Sequence, residues 1–139
     1  METAVQTTQL HQDAFYEILW DEKTRIIGIK WKEATASMTD DDFKSELVGF
    51  ADYVEQQKAR GILVDVAHFR HRPGPDLEEW RLKNISGRYY AAGVRRFAFL
   101  FPEGAPIPPM MNQSAPGESF LRRGFNGSAK AMAWSTEAK

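Results

Sequence analysis

Four of the five residues His68-Phe69-Arg70-His71-Arg72 carry side chains able to bind or move charge, and Pro73-Gly74-Pro75 follows directly. Guanidinium groups grip carboxylate or phosphate with a planar fork of donors, so Arg70 and Arg72 point to an anion-binding turn. His68 and His71 add imidazoles that exchange protons near neutral pH. The plainer alternative is a solvated turn whose arginines lay their methylene stems over Trp80 and Tyr89. The two histidines stand three apart, but a metal needs further ligands and none follows nearby in the chain. Asp65, just upstream in an apolar run, needs a partner if it is buried. A hydrogen bond to a loop amide is the simpler use, and a general base beside His68 or His71 the other.

These residues end the run Ile62-Leu63-Val64-Asp65-Val66-Ala67, too brief for a helix and too continuous for a solvent-facing edge, hence a central buried strand. Pro73-Gly74-Pro75 stops it, and Asp76 is placed to cap a helix with Leu77, Trp80, Ile85, Tyr89 and Ala92 as apolar positions and Gly93 as its end. In open α/β sheets ligands collect at the carboxyl ends of strands, where this turn and Trp80 fall. Upstream, Phe15 to Trp20 and Thr24 to Trp31 alternate as a hairpin around Asp21-Glu22-Lys23. Thr39-Asp40-Asp41-Asp42 reads as a capping box opening a helix over 40–59, with Phe43, Leu47, Phe50 and Val54 on one stripe and Gly61 as a left-handed stop.

Downstream, residues 95–101 form a further strand, 120–125 a short edge strand, and Ser128 caps a last helix bearing Ala131, Met132 and Trp134. Between them, residues 102–118 hold five prolines. That stretch is a covering flap or a partly mobile segment, and its Ile107, Met110 and Met111 form an adaptable apolar surface or plug the core end. Helices between the later strands imply right-handed crossovers. The expected fold is α/β: one domain with a mixed, mostly parallel sheet, an antiparallel hairpin at its N-terminal edge, and flanking helices. Residues 1–12, polar and without period, are expected to be flexible, leaving 13–139 as the domain.

The hairpin ending in Ile29-Lys30-Trp31, the strand GILVDVAHF (61–69), the helix carrying Trp80, the strand RRFAFLFPEG (95–104) and the ending FNGSAKAMAW (125–134) make the chain resemble the SpoIIAA-like family of STAS-related domains. That family is also compared with CRAL-TRIO lipid-carrier domains. The resemblance spans nearly the whole chain, with LVDV and A-x-A-W its most specific pieces. It implies the fold above, and brings with it the regulatory partner binding of anti-sigma-factor antagonists and the ligand pocket of lipid carriers. In phosphorylatable STAS antagonists an Asp-Ser follows the central strand and the serine is the switch. Here residues 69–76 contain no hydroxyl side chain, so the phospho-switch does not carry over.

The absence of cysteine excludes disulfides, thiolate zinc sites and a thiol nucleophile. No run approaches the roughly 18 apolar residues of a membrane span, and METAVQTTQLHQ lacks a signal peptide's basic lead and apolar core, so a cytoplasmic protein is expected. Formal charge is −6 over residues 1–59 and +5 over 60–139, which makes the second half the anion-attracting one, or merely a solvated surface. Arg81, Arg88, Arg95 and Arg96 interleave with Tyr89-Tyr90, but no nucleic-acid-binding motif accompanies them and nucleic acid is not an expected partner. Gly-rich phosphate loops, a nucleophile elbow and H-E-x-x-H are missing. What is left is a non-catalytic STAS-like module with no cofactor or metal. It would bind a protein partner in a regulatory role, or else carry a small amphipathic, lipid-like anion between the sheet edge and the Pro/Met-rich loop. The expected contact set is His68, Arg70, His71, Arg72, Trp80, Met110 and Met111. The hairpin edge could also pair with a second copy, giving a homodimer.

Overall fold

Alternation places Tyr16, Ile18 and Trp20 of β2 (Tyr16–Asp21) and Ile27, Ile29 and Trp31 of β3 (Ile26–Trp31) in one core on one face of an antiparallel pair. The computed structural model, which describes residues 7–112 and 120–136, extends this pair into a six-stranded sheet. β1 (Thr7–Gln12) lies outside β2, while β4 (Gly61–Asp65), β5 (Arg96–Leu100) and β6 (Leu121–Phe125) follow β3 in chain order. The first three strands are antiparallel and β3 through β6 parallel, so the α/β class and the mixed sheet are as the pattern requires. Residues 7–12, however, are not a loose leader. The outer edge of β2 offers unpaired amides and carbonyls, and backbone pairing accepts Thr7, Thr8 and Gln9 whatever their side-chain period. β2 is therefore not the edge that a second copy could join.

Two layers of helix cover the sheet. On one face α1 (Asp40–Gln57) buries Leu47, Phe50, Ala51 and Val54 against the β2–β5 core. Its start is the expected capping box: Thr39 Oγ1 accepts from the Asp42 amide at 3.0 Å and Asp42 Oδ2 from the Thr39 amide at 3.1 Å. Its end differs from expectation. Lys58, at φ 54°, takes the left-handed position and the Ala59 amide returns to the Val54 carbonyl at 3.2 Å. Gly61 instead begins β4, where a Cβ would stand 3.3 Å from Ile26 Cγ1, so it serves close packing rather than helix termination. On the other face α4 (Ser128–Thr136) packs Ala131 and Trp134 against Leu63, Ala98 and Phe125.

The helical segment after β4 is one run in sequence but three in geometry. α2 (Leu77–Arg81) passes into a π-turn (Leu82–Ser86) and then α3 (Gly87–Ala92), which Gly93 closes at φ 126°. Asp76 does not cap it, because its backbone is already helical and its side chain accepts no cap hydrogen bond.

A polar knot fastens the β1–β2 turn to α1. Tyr16 Oη donates to the Glu46 carbonyl at 2.8 Å, and Asp13 Oδ1 accepts the amides of Phe15 at 2.8 Å and Tyr16 at 3.1 Å. His11 Nε2 lies 3.1 Å from Asp13 Oδ2. Burial, then the hydrogen bond and charge of Asp13, push the Glu46 carboxyl up to about 8. Burial also works to raise Asp13, but its hydrogen bonds with His11, the Phe15 and Tyr16 amides and Glu46 outweigh it and hold that carboxyl below its ordinary value. Glu46 is thus the carboxyl that keeps its proton and Asp13 the one that gives it up.

Between the ordinary value of 4.5 and the folded value near 8, Glu46 is protonated in the folded chain and ionised in the unfolded one. Its contribution to stability therefore falls as pH rises through that window. Glu46→Gln, which keeps the protonated shape, should gain melting temperature relative to the parent as pH goes from 5 to 8. A melting-temperature difference that is flat across that range would show that the fold does not raise the Glu46 carboxyl.

Candidate functional site: an apolar cavity beneath the Arg/His turn

Three anchors shape the turn after β4. Asp65 Oδ1 accepts the Ala67 amide at 3.0 Å, the loop hydrogen bond expected of a carboxylate in that position. Thr35, fully buried, accepts the Arg70 amide at 2.7 Å through Oγ1 and donates to the Lys32 carbonyl at 2.8 Å. Asp40, the first residue of α1, takes His71 Nε2 at 2.8 Å and the Gly74 amide at 3.2 Å. A Cβ on Gly74 would sit 2.5 Å from Asp40 Oδ2, so this close approach requires glycine.

The expected cationic cluster is consequently divided. His71, with a side chain only 7% exposed, turns inward against Phe43 at 5.3 Å and Phe69 at 6.2 Å, and both of those rings pack on Trp31. His68 and Arg70 stay out, 52% and 48% exposed, each 3.8 Å from Glu33. Arg72 is exposed as well. The split follows from chemistry. An imidazole can be buried with one carboxylate partner, whereas a guanidinium with five donors holds on to water. Trp80 is half-buried under the Lys44 ammonium, 5.5 Å from the ring. Met110 and Met111 fall in the short turn Pro109–Asn112, which packs on β6 and whose Asn112 Oδ1 accepts the Gly124 amide at 3.0 Å; their side chains lie outside the described residues. The preceding loop is pinned by Asn126 Nδ2, which donates to the carbonyls of Pro102 at 2.8 Å and Ala105 at 2.9 Å.

Below Pro73 and Gly74 lies a cavity of about 260 Å³ between sheet and helices. The sheet supplies Ile29, Trp31, Val64, Phe97 and Phe99, and the helices Phe43, Leu47, Leu77 and Tyr89. Among the described lining residues only Glu78, Arg81 and Arg122 are charged. Arg81 holds Glu78 in a two-pronged pair, Nε to Oε1 at 3.1 Å and Nη2 to Oε2 at 2.9 Å, and donates to Ser86 Oγ at 3.0 Å. Residues five apart stand on different sides of an α-helix. The wider π-turn between them brings Arg81 and Ser86 onto one side. Arg122 pairs in register with Phe97 and lays its guanidinium over the rings of Phe97 at 5.6 Å and Phe99 at 5.8 Å.

Neither arginine stands out in the sequence. Arg81 looks like one cation among several, and the only mark of Arg122 is a charged residue at an inward position of β6. The rest of the basic set is dispersed. Arg88 joins α3 to α1 through Glu55 at 2.7 Å and Asp52 at 2.6 Å, Arg95 stacks on Tyr90 at 4.0 Å, and Arg96 on Trp134 at 4.8 Å on the α4 side. Comparison with protein-family models, curated proteins and solved structures returns no match for this chain. Among the described residues no helix is long and apolar enough to cross a membrane.

Asp40→Ala removes both ties to the turn and should cost about 1–3 kcal/mol in urea unfolding. Asp41→Ala, at an exposed neighbour without such ties, should stay within about 0.5 kcal/mol of the parent. Equal losses from the two substitutions would deny Asp40 its anchoring role.

Proposed function

We propose that this chain is a non-catalytic carrier or sensor that holds a compact apolar molecule with one anionic end in the cavity beneath Pro73 and Gly74. The observation that carries the reading is an apolar cavity of about 260 Å³, partly open to solvent, with two guanidinium groups, Arg81 and Arg122, and one carboxylate, Glu78, in its wall. Small-ligand sites are of this kind, mostly apolar with a few polar groups that set orientation. A cavity of roughly 150 Å³ holds benzene, which scales to about ten heavy atoms here. Arg81 gives two of its five donors to Glu78 and one to Ser86, so a ligand carboxylate would share its fork with these partners. Among the described residues no serine, threonine, cysteine or histidine lines the cavity, which favours binding over acyl or group transfer. Relative to the sequence-based expectation, the anion contact moves from Arg70 and Arg72 to Arg81 and Arg122.

A second reading keeps His68, Arg70 and Arg72 as the surface of a regulatory, STAS-like protein-interaction module. The exposure of all three on the rim of the turn supports it.

Native mass spectrometry of the untagged protein, compared with the same sample under denaturing conditions, tests both. The expected result is a small adduct lost on denaturation, abolished by Arg81→Leu with Arg122→Leu and retained by Arg70→Ala with Arg72→Ala. Loss of the adduct in the second pair alone would place the ligand on the turn. A bare protein that captures a partner dependent on Arg70 and Arg72 would establish the interaction module instead.

A further inference from the structure

We infer that the ligand is an aromatic carboxylic acid, one ring with a short acid arm, rather than an alkyl-chain acid; this rests on the ligand-binding reading above. Five of the fourteen described lining residues carry aromatic rings: Trp31, Phe43, Tyr89, Phe97 and Phe99. On β5, Phe97 and Phe99 lie 4.9 Å apart with their planes tilted by 38°, and Tyr89 sits 6.0 Å from Phe97. Trp31 and Phe43, 5.5 Å apart, line the same cavity from β3 and α1. A flat ring entering among such surfaces gains offset and edge contacts beyond those that area alone provides, and a polymethylene chain does not.

Size and stiffness act in the same direction. The volume of about 260 Å³ takes one ring and a short arm, and excludes a long chain unless it coils. Coiling a chain freezes many rotors, whereas an arene brings few to freeze. The acid end has a defined receiver as well. Arg122 lies over Phe97 and Phe99, so a ring packed beside that pair, against Tyr89, Trp31 or Phe43, brings its carboxylate within reach of the guanidinium fork.

The test is isothermal titration of the full chain with phenylacetate, 3-phenylpropionate, octanoate and neutral phenylacetamide. The two aromatic acids should bind at least tenfold more tightly than octanoate and than the amide. Phe99→Leu should remove the preference over octanoate, and Arg122→Leu the preference over the amide. Should either variant fail to fold, the ranking of the four compounds on the parent protein still decides. Octanoate binding as tightly as the aromatic acids would overturn the aromatic class and leave the carrier reading standing. No binding by any of the four compounds would overturn both.

Discussion

The grip of Asp40 on the turn after β4 is the contact on which the cavity depends. Pro73 and Pro75 have no amide hydrogen to give, so the segment crossing the cavity mouth has few backbone bonds of its own. One carboxylate supplies what is missing by accepting from His71 and from Gly74. Its position makes it effective, because the first turn of a helix is where a negative charge is favoured by the aligned peptide dipoles. Asp42 uses the same field to close the capping box, so two carboxylates of one helical turn divide the work of starting the helix and holding its neighbour. The placement of the turn is therefore inherited from α1, whose own placement comes from Phe50 and Val54 against the sheet and from the Tyr16–Glu46 contact.

Apolar surface left facing water is costly, so a ligand that covers the wall of the cavity gains the transfer free energy of that surface, roughly 25 cal/mol per Å². A ligand that binds only the folded chain thereby couples occupancy to stability.

The fold was legible in the sequence wherever period and punctuation agreed. The alternation of β2 and β3, the apolar run of β4, the Thr39–Asp42 box and the glycine at position 93 each carry a local signal, and each element formed. β1 was illegible because its partner is a neighbouring backbone edge, which leaves no hydrophobic period to read. The turn was legible as a functional location and misread in its detail. Nothing local in His68-Phe69-Arg70-His71-Arg72 tells which ring will turn inward, since that is decided by Asp40, thirty-one residues away. The cavity's cationic wall comes from Arg81, held to Ser86 across the π-turn, and from one inward arginine on β6. The π-turn has no composition signature, and the inward arginine appears only when the strand's facing is known.

The two margins of the sheet are treated alike by different means. At one, β1 shifts register between Gln9 and His11 and presents mostly polar side chains outward. At the other, Asn112 occupies the amide of Gly124 and the preceding loop is tied back by Asn126. Irregular, polar or occupied margins are what keep a twisted sheet from templating strands of other chains. Growth of this sheet into a filament is thereby discouraged at both ends.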